Sequence, residues 1–83
     1  MNRLIWITRR NGSDVIHAAG FRGYRLEVRN FLGTRSMEGA ILRDGAEVFR
    51  IDADRKEWSV ADLKQELIGR LTFGRGFPIL TTS

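Results

Sequence analysis

The chain of 83 residues has no cysteine, a single proline and a single histidine. Without cysteine it forms neither a disulfide nor a thiolate metal site, and such a chain is typical of a reducing, cytoplasmic setting. Its N-terminal apolar run, residues 4–7, is too short for a signal-peptide core or a membrane span. We therefore expect a cytoplasmic protein that does not associate with a membrane.

Signatures of catalysis are also missing. The sequence has no Walker motif, no GxGxxG and no metalloprotease helix. Asp52, Asp54 and Glu57 form an acidic cluster, but Arg55 and Lys56 lie between them and compete for the carboxylates. A solvated loop therefore explains the cluster better than a metal site, and we expect no metal and no other cofactor.

His17 is the only histidine and the only candidate for imidazole acid–base chemistry. Glu27 and Ser13 would be candidate partners, but nothing in the sequence fixes their geometry relative to the ring. We therefore expect a protein that is not an enzyme. A small toxin-type ribonuclease that uses His17 remains an alternative.

Length and composition indicate one domain over residues 1–83, with residues 72–83 as a tail. Hydrophobic residues make up 42% of the chain, enough for a core and too many for a disordered segment. A chain of this length buries roughly 60–65% of its unfolded surface, so the core is modest.

The positive charge is concentrated in the first part of the chain. The net charge is +4, with twelve arginines and only two lysines; residues 1–37 carry +5 and residues 38–83 carry −1. Codon bias explains a preference for arginine but not its uneven distribution. Because a guanidinium makes bidentate contacts with phosphate or carboxylate, the asymmetry indicates a binding surface.

Two dipeptides predict β-hairpins. Asn11-Gly12 separates residues 4–10 from residues 13–19, and the type I′ turn that this dipeptide favours would place Arg9 opposite Asp14 and Trp6 opposite His17. Residues 4–7 are apolar on both sides, as in a strand that is covered on both faces. Residues 13–19 also fit a short helix that ends at Gly20, and this alternative stays open.

A second hairpin is predicted around Asp44-Gly45, which separates residues 39–43 from residues 46–52. Its register places Ala40, Leu42, Phe49 and Ile51 on one face, which we expect to be the core face, and Ile41, Val48, Arg43 and Arg50 on the other. Before it, residues 20–23 are predicted as a loop, Tyr24–Phe31 as a half-exposed strand and residues 30–36 as a connection.

A helix is predicted to begin after Ser59, with Asp62 completing a capping box and Trp58 forming a hydrophobic staple with Leu63. Its apolar stripe consists of Val60, Leu63, Leu67, Ile68 and Leu71. It ends either at Gly69 or at Phe73, and residues 77–82 could add an edge strand. The fold class is α+β: a small antiparallel sheet of four to six strands with two tight hairpins, packed on this helix.

The predicted binding surface centres on Arg25 and Arg29, which project from one strand face about 13–14 Å apart. That spacing suits a phosphate backbone, whereas Glu27 between them suits a protein interface at least as well. The full set of candidate contact residues is Arg22, Arg25, Glu27, Arg29, Phe31, Arg35, Ile41, Val48, Arg43 and Arg50.

In its length, its cysteine-free sheet-plus-helix plan and its lack of catalytic motifs, the chain resembles small proteins encoded by phages and mobile elements, including anti-CRISPR inhibitors. The resemblance rests on no diagnostic motif and transfers no site residues. It implies an inhibitor that docks on a nucleic-acid-handling protein complex, although the positive charge departs from the acidic DNA-mimic style of some such inhibitors. Direct DNA or RNA binding through the arginine-rich half is the alternative, and an exposed edge strand or the Ile41/Val48 pair could instead form a homodimer contact.

Overall fold

Residues 4–73 are described by a computed structural model, in which five strands form one antiparallel sheet and a helix covers one of its faces. Each strand pairs with its neighbour in sequence, so the sheet has the order β1-β2-β3-β4-β5. The predicted α+β class is confirmed. The elements are β1 (Ile7–Asn11), β2 (Asp14–Phe21), β3 (Tyr24–Phe31), β4 (Ser36–Arg43), β5 (Ala46–Asp54) and α1 (Val60–Phe73).

Three two-residue turns connect the strands, one more than predicted. Asp44 and Gly45 have positive φ of 54° and 82°, as a type I′ turn requires, and this hairpin is confirmed. Arg22 and Gly23 form the same turn with the same pair of φ values. The prediction of a loop over residues 20–23 is therefore wrong for residues 20 and 21, since β2 continues to Phe21.

The first hairpin has a different turn from the one predicted. Gly12 and Ser13 occupy its centre, and of the two only Gly12 has positive φ, as in a type II′ turn. Thr8 therefore lies opposite His17 and Arg9 opposite Ile16, which overturns the predicted pairing of Arg9 with Asp14. Because the pairing slips by two residues, every side chain keeps its predicted face.

A bulge in the β4–β5 hairpin changes which side of β4 faces the helix. Leu42 lies opposite Glu47 as predicted, but the irregularity between Ile41 and Leu42 places Ile41 opposite Phe49. Met37, Gly39 and Ile41 consequently face the helix, in place of the predicted Ala40 and Leu42. The predictions for Phe49 and Ile51 are correct, since both pack against the core.

The core lies between α1 and the central strands. It is made of eight buried side chains: Tyr24, Leu26, Val28, Met37, Ile41, Leu63, Leu67 and Leu71. Burying an aliphatic side chain of this size stabilises the fold by about 1.5–3 kcal/mol. The helix packs closely on β4 at Gly39, where an added Cβ would be in ordinary van der Waals contact, 3.4 Å from Cδ2 of Leu63.

The helix begins as predicted. Ser59 Oγ accepts a hydrogen bond from the Asp62 backbone N–H at 3.0 Å, and Asp62 Oδ2 accepts one from the Ser59 N–H at 2.8 Å. This reciprocal pair is the predicted capping box. The helix continues past Gly69 to Phe73 and thus includes the first two residues of the predicted tail. The possible strand at residues 77–82 lies outside the described residues.

None of the buried residues among residues 4–73 is polar or charged. Within the same range, no helix has both the length and the apolar character needed to cross a membrane.

Candidate functional site

The face of the sheet that α1 does not cover is called the open face here. The strand registers place on it, among others, Ile7, Arg9, Ile16, Ala18, Gly20, Arg25, Glu27, Arg29, Glu38, Ala40, Leu42, Glu47, Arg50 and Asp52, and Ile5 lies just before β1. Neighbouring strands lie about 4.8 Å apart, so side chains in one row are in reach of one another. The β3–β5 part is charged and the β1–β2 part is mainly apolar.

Arg29 is the centre of the charged part. Its guanidinium lies 2.8 Å from Glu27 Oε1, 3.0 Å from Glu38 Oε1 and 3.3 Å from Glu47 Oε2. These three carboxylates come from three different strands, β3, β4 and β5. The arginine therefore ties the strands together on the surface.

Two further arginines complete this charged cluster. Arg25 Nε lies 2.6 Å from Glu27 Oε2, and Arg50 lies 3.2 Å from Glu38 and 3.1 Å from Asp52. The charged cluster thus contains three arginines (Arg25, Arg29, Arg50) and four carboxylates (Glu27, Glu38, Glu47, Asp52), with a net charge of −1. The cations predicted to follow a phosphate backbone are occupied by acidic partners.

Protonation in the charged cluster follows from these contacts. Burial alone would raise the pKa of Glu27, but hydrogen bonds and charge from Arg25 and Arg29 outweigh it and hold the pKa below its usual value. Burial would likewise lower the pKa of Arg29, but Glu27, Glu38 and Glu47 outweigh it and raise the pKa. These contacts therefore favour the ionised forms of both Glu27 and Arg29.

The apolar part contains a shallow groove of about 440 Å³. Its floor is β2, where Ala18 and Gly20 have little or no side chain, and Ile5 and Ile7 form the wall on the β1 side. Ile5 and Ile7 are 75% and 62% exposed. The lining residues of the groove are Ile5, Ile7, Arg9, Ala18, Ala19, Gly20 and Arg25.

The groove overturns one expectation about the N-terminal segment. Residues 4–7 were predicted to be covered on both sides, yet β1 begins only at Ile7, and Ile5 and Ile7 are exposed on the open face. Sequence reasoning missed these residues because an apolar pair in a strand is normally assigned to a core. The signal was present in β2, where Ala18 and Gly20 offer little surface to cover them.

Other predicted contact residues have structural roles. Ile41 is fully buried and Val48 packs against the core, so the predicted exposed patch of Ile41 and Val48 is wrong. The bulge causes this, because it turns Ile41 towards the helix. Arg43 donates to the Tyr24 hydroxyl at 3.1 Å and lies over its ring, away from the open face.

Three more predicted residues lie at the ends of β3. Arg22 stacks over the Phe21 ring at 4.9 Å in the β2–β3 turn. At the other end, Phe31 is partly buried, and its carbonyl accepts a hydrogen bond from Arg55 at 3.1 Å. Arg35 lies 3.8 Å from Asp54 and is exposed. The structure does not bring these residues together with the groove.

His17 lies on the helix-covered side of β2. Thr8 Oγ1 is 2.9 Å from its Nδ1, within hydrogen-bond distance. Burial, followed by the charge of Lys64, lowers the pKa of His17 below its usual value, so the ring is neutral at pH 7. Among residues 4–73, no three acidic or histidine side chains are grouped so that they could hold a metal ion.

Comparisons of the chain with protein-family models, with curated proteins and with solved structures found no match. The open face combines a groove that has two exposed isoleucines with a charged cluster whose arginines are paired with carboxylates.

Proposed function

We propose that this is a non-enzymatic binding protein that docks through its open face on a protein partner. In this proposal the partner belongs to a nucleic-acid-handling complex, which the protein blocks or modulates in the manner of an anti-CRISPR inhibitor. The observation that carries the proposal is the pair of exposed isoleucines, Ile5 and Ile7, over a groove floored by Ala18 and Gly20.

Protein interfaces commonly combine an apolar centre with a polar rim, and a few anchors that fill pockets supply most of the affinity. The groove has room for one or two apolar side chains of a partner, and the charged cluster lies directly beside it. Because its charges are already paired, covering this cluster leaves no arginine in it without an acidic partner. This arrangement supports docking of a protein surface.

The same geometry disfavours the charged cluster as a site for nucleic acid. Phosphate binding draws its free energy from uncompensated cations that displace counterions. Arg25 and Arg29 already contact Glu27, and Arg29 also contacts Glu38 and Glu47. A phosphate group would have to displace these carboxylates and would be repelled by them.

The inhibitor part of the proposal is supported by the resemblance in size and build to inhibitors encoded by phages and mobile elements. A small meander sheet with one exposed face suits stoichiometric docking. The positive charge is concentrated in residues 1–37. It suits a partner with an acidic surface, because complementary charges speed and orient association.

Direct nucleic-acid binding is the second candidate, and one observation favours it. Arg9 and Arg10 on β1 have no acidic partner among residues 4–73, unlike the arginines of the charged cluster. Nucleic acid would in that case bind along β1 and not along β3.

The proposal is tested by affinity capture from nuclease-treated extract of cells that encode the protein, followed by binding measurements with the purified partner. Gly20→Val adds volume to the groove floor, and its Cβ has room there, since the nearest atom is the Tyr24 carbonyl oxygen at 4.0 Å. Gly33→Val is the matched control, because it makes the same change in an open loop with nothing within 4 Å.

We expect Gly20→Val to weaken binding of the purified partner by about tenfold or more, and Gly33→Val to leave it unchanged. Equal binding by the wild-type protein and Gly20→Val would contradict docking through the groove. If wild-type protein captured a partner only when nuclease was omitted, the second candidate would replace the first.

A further inference from the structure

We propose that the free edge of β1 pairs with an extended, acidic segment of the protein partner, which adds a sixth strand to the sheet. This inference rests on the proposed function, because it names the chemistry of the partner that docks there. It is carried by three features of β1: a regular and exposed backbone edge, arginines without acidic partners, and continuity with the groove.

The backbone edge follows from the first hairpin. Asn11 and Asp14 flank a two-residue turn and therefore form a hydrogen-bonded pair. Because such pairs alternate along an antiparallel ladder, Thr8 and Arg10 direct their N–H and C=O groups away from β2. All five residues of β1 are exposed, so these four groups are open to another strand.

The opposite edge of the sheet is less suited to pairing. β5 carries the register shift that places Ile41 opposite Phe49, and such bulges bend a strand and interrupt regular pairing. Its exposed side chains include both signs of charge, with Arg50 beside Asp52. β1 is regular over its whole paired length, and the described part of its edge carries only positive charge.

The charge of β1 indicates which kind of segment would pair with it. Arg9 points to the open face and Arg10 to the opposite side, so both faces of an added strand would lie beside a guanidinium. Neither arginine has an acidic partner among residues 4–73. A second copy of β1 would bring like charges together, which destabilises pairing, whereas carboxylates would form bidentate contacts.

The groove extends this edge. Ile7 precedes Thr8 on β1 and, with Ile5, forms the groove wall on the open face. A segment paired with Thr8 and Arg10 would therefore place its open-face side chains beside Arg9 at one end and the exposed isoleucines at the other. The expected segment carries carboxylates near Arg9 and Arg10 and an apolar residue near Ile7.

The test uses synthetic peptides of about six residues, the length of a typical strand, in which two adjacent glutamates, one for each face of the strand, are flanked by valine or threonine. Binding to the full chain is followed by NMR of backbone amides at up to about 1 mM peptide. Three comparison ligands are a peptide with lysine for glutamate, the acidic peptide with alternate backbone nitrogens methylated, and duplex DNA.

We expect the acidic peptide to shift the amide signals of Thr8 and Arg10 and to slow their hydrogen exchange. Arg9→Glu combined with Arg10→Glu is expected to weaken binding by about tenfold or more. Lys56→Glu is the control for charge, because it makes the same type of change at an exposed side chain in the turn before α1. N-methylation and lysine substitution in the peptide are each expected to abolish binding.

Equal binding of the methylated peptide, or no amide shifts at the highest concentration, would overturn strand addition. DNA that bound along β1 and was not displaced by the acidic peptide would also overturn strand addition. This failure is distinguishable from failure of the proposed function. A partner retained by the Arg9→Glu/Arg10→Glu variant but lost by Gly20→Val would leave groove docking intact and remove only the strand.

Discussion

The two faces of the sheet are formed by the same five strands, but one face buries its side chains against a helix and the other mainly pairs charged side chains with one another. On the helix-covered face, Leu26 and Ile41 are fully buried against Leu63 and Leu67 of α1. On the open face, the charged part is held by ion pairs across β3, β4 and β5, and Ala40 in the same part is fully buried. Among the described residues of the open face, the exposed large apolar side chains are Ile5 and Ile7, both at the β1–β2 part.

The arginines of β3 and those of β1 differ in whether they have acidic partners. Arg25 and Arg29 have the spacing of a phosphate-binding ladder, yet their charge is used within the protein. Arg9 and Arg10 lie on β1 and have no acidic partner among residues 4–73. In the proposed function, the arginines available to a partner are therefore those of β1 and not those of β3.

The largest expected effect comes from removing a buried side chain on the helix-covered face. Leu67→Ala is expected to lower the free energy of unfolding by about 2–5 kcal/mol, because Leu67 is fully buried and a cavity remains. Ile7→Ala on the open face is expected to change it by less than about 0.5 kcal/mol. Urea unfolding monitored by circular dichroism measures both; similar losses would mean that Ile7 belongs to the core.

A smaller effect is expected from equal changes at two glycines on opposite faces. Gly39→Val is expected to cost about 1–3 kcal/mol, because its branches would press on Leu63 and Leu67. Gly20→Val points into the groove and is expected to change stability little. Gly39→Ala is the control, since its Cβ makes ordinary contacts at 3.4–3.6 Å. Tolerance of Gly39→Val in thermal unfolding would contradict close packing of α1 on β4.

The smallest effect is expected in the charged cluster. The folded-state pKa of Glu27 is held below its ordinary value, so its contribution to stability is complete above that ordinary value. This contribution is lost as pH falls through the lower folded-state pKa. Glu27→Gln is expected to cost about 0–1 kcal/mol at pH 7 and to weaken the acid dependence of stability. An unchanged acid profile in urea titrations would show that Glu27 is not held by its arginines.

Much of the local structure is predictable from the sequence. β3 has the predicted bounds because Tyr24–Phe31 alternates cleanly, and α1 begins at its predicted cap. The registers of the two outer hairpins are less predictable, because Gly12 can occupy either central position of a tight turn and the β5 bulge leaves no clear pattern. These two differences decided which residues of β4 face the helix and which residues lie opposite Arg9.

The candidate site is harder to predict because its contacts join distant parts of the chain. Arg29 meets Glu38 and Glu47, which are 9 and 18 residues away, and only the sheet registers bring them together. The groove depends on the absence of side-chain volume at Ala18 and Gly20, which composition alone does not mark as a site. The arginines were recognisable from the sequence, whereas their pairing was not.

The most direct test measures nucleic-acid binding by the wild-type protein and by a variant whose charged cluster has lost two of its four carboxylates. Fluorescence anisotropy with labelled duplex DNA, single-stranded DNA and RNA at about 50 and 200 mM salt would compare it with Glu27→Gln/Glu38→Gln. We expect weak binding by the wild type, and tighter, more salt-dependent binding by the variant. Tight wild-type binding that Arg25→Ala and Arg29→Ala each reduce would contradict the claim that these arginines are neutralised within the protein.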